Sequence, residues 1–233
     1  MTCLVDNKIT ELESKIGIKF HNKDLLLQAL THRSYINENP SWHLDHNERL
    51  EFLGDAVLEL AVTEYLYENY PNPEGELTNW RAALVNAVMM AKVSAKMDLN
   101  DYLLLSRGEA KDIGRARQCI LANALEAVIG AIYLDRGYDA ASGFISKFIV
   151  PELPRILKEK AYKDYKSLFQ ERAQDEAGIT PTYEVLKEWG PDHAKRFRVG
   201  VFLEKELAGE GEGASKQDAQ QEAAKDALKK KEW

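Results

Sequence analysis

At 233 residues, 45% hydrophobic and 30% charged, the chain has room for one large or two modest folded domains, which excludes disordered and fibrous classes. Its net charge of −7 excludes bulk electrostatic attraction to phosphate, and residues 163–233 carry 13 Lys and Arg against 15 Asp and Glu, a net of −2. Any nucleic-acid binding must therefore depend on where single cations sit. No apolar run is read as approaching the roughly 18 residues of a membrane span, and residues 1–9 lack the basic and apolar regions of a signal peptide. Cys3 and Cys119 are far apart without ligand-like spacing, which fits a reduced cytoplasm.

Taken in order, residues 8–16 have a helical pattern, and Asp24 is expected to N-cap a helix over 25–30. A polar loop between Tyr35 and His46 delivers the chain to a long apolar helix that runs from about Asn47 to Tyr70 and is stopped by Pro71 and Pro73. At helical pitch Glu48, Glu51, Asp55 and Glu59 form an acid stripe, with Leu50, Leu53, Val57 and Leu60 opposite. His43 and His46 lie beside these acids, but no cysteine or further histidine supports zinc spacing. Residues 76–97 read as one long helix through Leu77, Trp80, Leu84, Val88 and Val93, on which Arg81 is expected to pair with a buried acid or cap a helix end. A charged, glycine-containing loop follows, with Arg115 and Arg117 placed either to meet phosphate or to order the loop, and Cys119 is expected as a small buried side chain.

Residues 120–134 are apolar almost all round, as in a buried helix, and Asn123 and Glu126 are the polar side chains ahead of Tyr133. A carboxylate there is costly unless a cation or strong donors meet it. If this helix packs on the acid-striped one, Glu51, Asp55, Asn123 and Glu126 converge on an oxygen-only site suited to Mg²⁺ or Mn²⁺. A last apolar helix over 140–150 ends this all-helical first domain, residues 1–150, and the prolines and lysines of 151–163 read as a linker. Residues 164–231 then read as helix, three strands, helix, a small α+β domain. Its helix spans 165–176 and its strands 181–189, irregular at Leu186 and Lys187, then 196–203 and 205–210. A glycine turn follows at 209–213, and Ser215 caps the final helix. Lys229, Lys230 and Lys231 complement the dipole at that helix's C-terminus.

The stretch Asn47-Glu48-Arg49-Leu50-Glu51-Phe52-Leu53-Gly54-Asp55, with residues 29–35, 74–78, 81–86 and 120–135 in order around it, resembles the signature of bacterial ribonuclease III, a double-strand-specific endoribonuclease. Residues 163–231 likewise resemble a double-stranded-RNA-binding domain. The resemblance implies a Mg²⁺-dependent nuclease, with Mn²⁺ as substitute, in which Glu51, Asp55 and Glu126 are catalytic and, with Asn123, hold the metal. It makes Glu48 and Glu74 secondary acids. It also implies a cytoplasmic homodimer contacting through Phe52, cutting both strands of duplex RNA to leave 5′ phosphates and short 3′ overhangs, with ribosomal and messenger precursors as substrates. Ser167, Gln170, Glu171 and His193 would probe minor grooves, while Ser215 and Lys216 meet the phosphates between. Two departures stand out. Asn123 occupies the first position of the family's second acidic pair, Asp-x-x-Glu, and Gln217 stands where a second lysine is usual. The first leaves open an alternative, a chain that binds duplex RNA while cutting it weakly or not at all.

Overall fold

Two 22-residue helices, α4 (Glu48–Asn69) and α7 (Arg115–Arg136), form the axis of the first of two units in the computed structural model, and two glycines set how closely they cross. A Cβ on Gly54 would stand 1.7 Å from the carbonyl oxygen of Glu126, and one on Gly130 2.2 Å from that of Leu50. No larger residue fits at either point, so the two backbones touch. The structure describes residues 2–111, 114–159, 164–191 and 195–233. The units are Met1–Tyr162 and Lys163–Trp233.

Against these two helices pack α2 (Lys23–Ala29), α5 (Glu74–Val85), α6 (Ala87–Lys96) and α8 (Tyr138–Phe148), and α1 (Thr2–Ile16), α3 (Arg33–Glu38) and α9 (Leu153–Glu159) complete the unit. By length and composition α7 could cross a membrane, contrary to the sequence reading. Its apolar side chains instead form the centre of the core, with Ala124, Leu125, Val128, Ile129 and Ile132 fully buried against α4, α6, α2 and α8.

Several sequence expectations shift, each for a local reason. On α4 the buried line runs through Leu50, Gly54, Val57, Leu58, Ala61, Val62 and Leu66, and Leu60 is 57% exposed. Ten residues on from Leu50, Leu60 has rotated about 80° off the core line. The N-cap of α2 is Asn22, whose side chain accepts from the Asp24 amide at 3.1 Å, leaving Asp24 inside the first turn. The single helix expected over 76–97 is two. Asn86 breaks it with extended backbone (ψ 157°), accepts from the Met89 amide at 2.9 Å, and donates back to the Ala82 and Ala83 carbonyls. Asparagine favours such a cap over a helix interior, and Val88 is left 73% exposed. Cys119 is exposed, since its turn of α7 precedes the buried segment. Among the described residues Arg81 neither pairs with an acid nor caps a helix; it donates to Thr63 Oγ1 at 3.0 Å.

The expected linker begins too early at 151. Leu153 and Ile156 of α9 are buried in the first core, and Glu152 is buried against Lys92, Lys96 and Arg155. Burial alone would raise the Glu152 carboxyl, but the Lys92 and Lys96 ammoniums hold it at about 2. Pro151 and Pro154 mislead because proline also suits the first turn of a helix. Residues 160–163 lie outside the described residues.

The second unit is an antiparallel sheet in the order β1 (Thr182–Trp189), β2 (Arg196–Leu203), β3 (Glu206–Gly213), covered by α11 (Lys216–Lys231), against which α10 (Tyr165–Ala177) packs. The register of β1 on β2 shifts between Val185 and Lys187, where the alternation fails in the sequence. The glycines expected as a turn belong to β3. A Cβ at Gly209, Gly211 or Gly213 would come within 2.5, 2.2 and 2.5 Å of the amides of Ala227, Ala223 and Ala219. An alanine ridge on α11 thus lies in a glycine trough on β3, so the absent side chains serve helix-on-sheet contact.

Gly130→Ala is expected to lower stability to urea by at least about 3 kcal/mol, because a backbone carbonyl cannot move aside. Gly143→Ala is the control: beyond its own helix, no described atom lies within 4 Å of a Cβ at that position, and the change should be neutral or stabilising by roughly 0.5–1 kcal/mol.

Candidate active site and nucleic-acid interface

The glycine crossing decides which side chains meet. Asn47, buried ahead of α4, is fixed by its amide on the Thr31 carbonyl at 2.9 Å and its side chain on the Ala29 carbonyl at 3.2 Å. One turn in, Glu51 and Asp55 face α7, and from α7 come Asn123 and Glu126. With Glu48 and Phe52 these residues line one open cavity of ≈ 630 Å³. All four expected metal-site residues are brought together by residues that lie far apart in sequence. Glu74 is not among them: it accepts from Thr78 Oγ1 at 3.0 Å and lines a different cavity with Thr63, Tyr67, Tyr70 and Arg81.

The electrostatics follow from packing carboxyls around a helix crossing. Burial, then the charges of Asp55 and Glu51, push the Glu126 carboxyl up to about 7. Burial and the Glu48 charge also raise Glu51, while a hydrogen bond from the Asn123 side chain opposes that rise. An ionised aspartate at 123 could donate no such bond and would add another negative charge. Glu48 is bracketed by Arg33 Nε at 3.1 Å and His46 Nδ1 at 3.8 Å, the first a partner that the sequence did not suggest and the second a histidine already beside it in the chain. The set is therefore rich in anionic oxygen and short of cation. It suits a hard divalent ion rather than zinc. Among the described residues, no three His, Cys, Asp or Glu side chains stand together at metal-binding geometry.

In the second unit Ser167 is half committed: its hydroxyl donates to Asp164 Oδ2 at 2.7 Å, and Asp164 N-caps α10. Gln170 and Glu171 are exposed on the same helix. Ser215 accepts from the Asp218 amide at 3.1 Å and so caps α11, which begins at Lys216. His193 lies outside the described residues, and of Arg115 only the backbone is described. Arg117 is turned to its own loop, donating to the Ala110 carbonyl at 3.3 Å.

Because the folded Glu126 titrates near 7 against an ordinary 4.5, the folded state holds more protons than the unfolded one between those values. Stability is thus fully present below the lower value and is lost as pH rises through the upper. In chelator, urea melts should show the parent losing about 2 kcal/mol more than Glu126→Gln between about pH 5 and 8, after allowance for solvent screening.

Residues 22–153 match the Ribonuclease-III-like family and residues 165–231 the double-stranded RNA binding motif. The chain is 44% identical over 225 residues to Ribonuclease 3 of Pelotomaculum thermopropionicum, covering 96% of this chain and 93% of that protein. With Ribonuclease 3 of Natranaerobius thermophilus it shares 48% identity over 223 residues, covering 95% and 96%. Among solved structures it is similar to the nuclease domain of ribonuclease III from Campylobacter jejuni, with a TM-score of 0.57 and 41% identity over 63% of this chain and 99% of that one. With an acidic cavity between two helices followed by an α-β-β-β-α domain, the chain belongs to the ribonuclease III family, as an endoribonuclease carrying a double-stranded-RNA-binding motif.

Proposed function

We propose that the chain hydrolyses phosphodiester bonds of double-stranded RNA with a divalent metal, Mg²⁺ or in its place Mn²⁺, held by Glu51, Asp55, Asn123 and Glu126. The convergence of these four on one cavity carries the reading. When bound, such an ion supplies charge neutralisation at the phosphate and an acidified water. The residues do the rest. Glu51, Asp55 and Glu126 provide carboxylate oxygens, and a cation would relieve both the burial and the neighbouring charges that raise the Glu126 carboxyl. Asn123 donates to Glu51 and opposes the rise that burial and Glu48 impose on it, with its own carbonyl oxygen left as a further donor to the ion. Side-chain rotation would have to bring these oxygens onto the ion, because among the described residues no three such side chains stand at metal-binding geometry. Glu48, tied to Arg33 and His46, acts as a secondary acid, and Glu74 is a secondary acid that lines the neighbouring cavity with Tyr67 and Arg81.

The dimer reading rests on α4. Phe52 is 82% exposed, and Leu60 and Tyr67, also exposed, continue its side of the helix at near-heptad spacing. At the far end of that stripe lies the cavity walled by Thr63, Tyr67, Tyr70, Leu77 and Arg81. A two-fold pairing with antiparallel α4 helices would set each Phe52 into the other copy's cavity. The Campylobacter structure is itself described in terms of a region involved in dimer formation. Two sites in such a dimer would cut opposite strands and leave 5′ phosphates with short 3′ overhangs. Ribosomal and messenger precursors in the cytoplasm are the proposed setting, which suits an exposed free thiol at Cys119. The RNA-binding unit would probe minor grooves with Ser167, Gln170, Glu171 and His193, and meet phosphates with Ser215 and Lys216.

Cleavage of a long RNA duplex in Mg²⁺ and Mn²⁺, beside Asn123→Asp, Glu126→Gln and a chelator control, tests the chemistry. The parent should cut, chelator should stop it, and Glu126→Gln should fall by roughly a hundredfold or more. Cutting by the Asp variant alone would mark a disabled nuclease, and binding without cutting by either would replace catalysis with RNA holding. For the dimer, Phe52→Glu should sediment as a monomer at micromolar concentration where the parent sediments as a dimer; an unchanged dimer rejects that contact.

A further inference from the structure

In the RNA-binding unit one carboxylate holds two ammonium groups at the start of the final helix. Glu188, near the end of β1, meets Lys195 Nζ at 2.9 Å through Oε2 and Lys216 Nζ at 3.6 Å through Oε1. Both lysines also stand over the ring of Phe197, at 5.9 and 5.7 Å from its centroid. Phe197 pairs with Glu188 across β1 and β2 and with Gly213 across β2 and β3, so the sheet fixes this platform beneath the α11 N-terminus. All four side chains are at least partly solvent-exposed.

We infer that Lys195 and Lys216 together form the phosphate clamp of this domain, and that Glu188 holds them in the free protein by occupying the place a phosphate takes in the complex. The inference rests on the reading of residues 163–233 as a duplex-RNA binder and deepens it. Two oxygens of one anion already bridge the two ammoniums, and a phosphodiester offers the same pair of anionic oxygens with the same charge. The α11 amides add donors aimed at an anion. Gln217 brings no charge, so Lys216 alone on α11 would leave the clamp with a single cation; the hairpin supplies the second from Lys195. The Phe197 ring steadies both ammoniums when the carboxylate lets go. Glu188 is also a cost to binding, because a phosphate must displace it and the patch carries one net positive charge instead of two.

The test is binding of the full chain, in chelator so that no RNA is cut, to a blunt RNA duplex of about 20 base pairs, slightly longer than the ~16 such a domain spans. Parent, Lys216→Gln, Lys195→Gln, Glu188→Gln and the Glu188→Gln/Lys195→Gln double variant are compared across salt. Lys195→Gln should weaken binding about tenfold, as Lys216→Gln does. Glu188→Gln should tighten it severalfold and steepen the salt slope by about 1, a gain that the double variant loses. If Lys195→Gln leaves affinity unchanged while Lys216→Gln weakens it, Lys195 serves only the strand pairing and the inference fails. Weakening by Glu188→Gln, with urea melts unchanged, would likewise overturn the displacement by phosphate. A parent chain that does not bind the duplex at all overturns the RNA-binding reading and the clamp with it.

Discussion

Backbone contact between α4 and α7 is the constraint on which the nuclease unit depends. Gly54 and Gly130 remove the side chains that would hold the helices apart, and each then lies against a carbonyl of the other helix. At a usual helix separation, side chains one turn away would face each other across a layer of apolar packing. At this one, Glu51 and Asp55 share a cavity with Asn123 and Glu126. The same contact that completes the core therefore assembles the acidic site, and neither can be loosened alone.

Assembling that site stores electrostatic tension. Three carboxyls meet at a partly buried crossing, and Glu126 is raised most strongly, first by burial and then by the charges of Asp55 and Glu51. Asn123 moderates the tension in two ways: it withholds a negative charge and donates a hydrogen bond to Glu51. An amide at this position is thus coherent with the rest of the site instead of a simple loss. It lessens the electrostatic cost of gathering three carboxyls at the crossing.

The RNA-binding unit applies the glycine device to helix and sheet. Gly209, Gly211 and Gly213 admit the Ala219, Ala223 and Ala227 ridge, which brings α11 close to the sheet and sets its N-terminus beside Phe197, Glu188 and Lys195. In a unit with a net charge of −2, that local gathering of two lysines matters more than the overall balance.

Much was legible in the sequence because it depends on local period and chemistry. Acid spacing on α4, the apolar circumference of α7 with Asn123 and Glu126, the alternation of β2, the break at Leu186 and the Ser215 cap are all set by neighbours within a few residues. The family signature tied these pieces together before any fold was known. What the sequence left undecided depended on distant partners. Glycines in β3 read as a turn until α11 lies over them, prolines at 151 and 154 read as a linker until Leu153 and Ile156 find the core, and Asn86 reads as helix interior until it caps α6. Likewise the meeting of Lys195 and Lys216 on Glu188, and the removal of Glu74 from the acidic cavity, follow from where whole elements dock. The amino-acid sequence by itself determined the elements, their faces and the stock of acids. Only the tertiary structure decided which of those acids and cations stand within reach of one another, because that distance is set by backbone contact between segments remote in the chain.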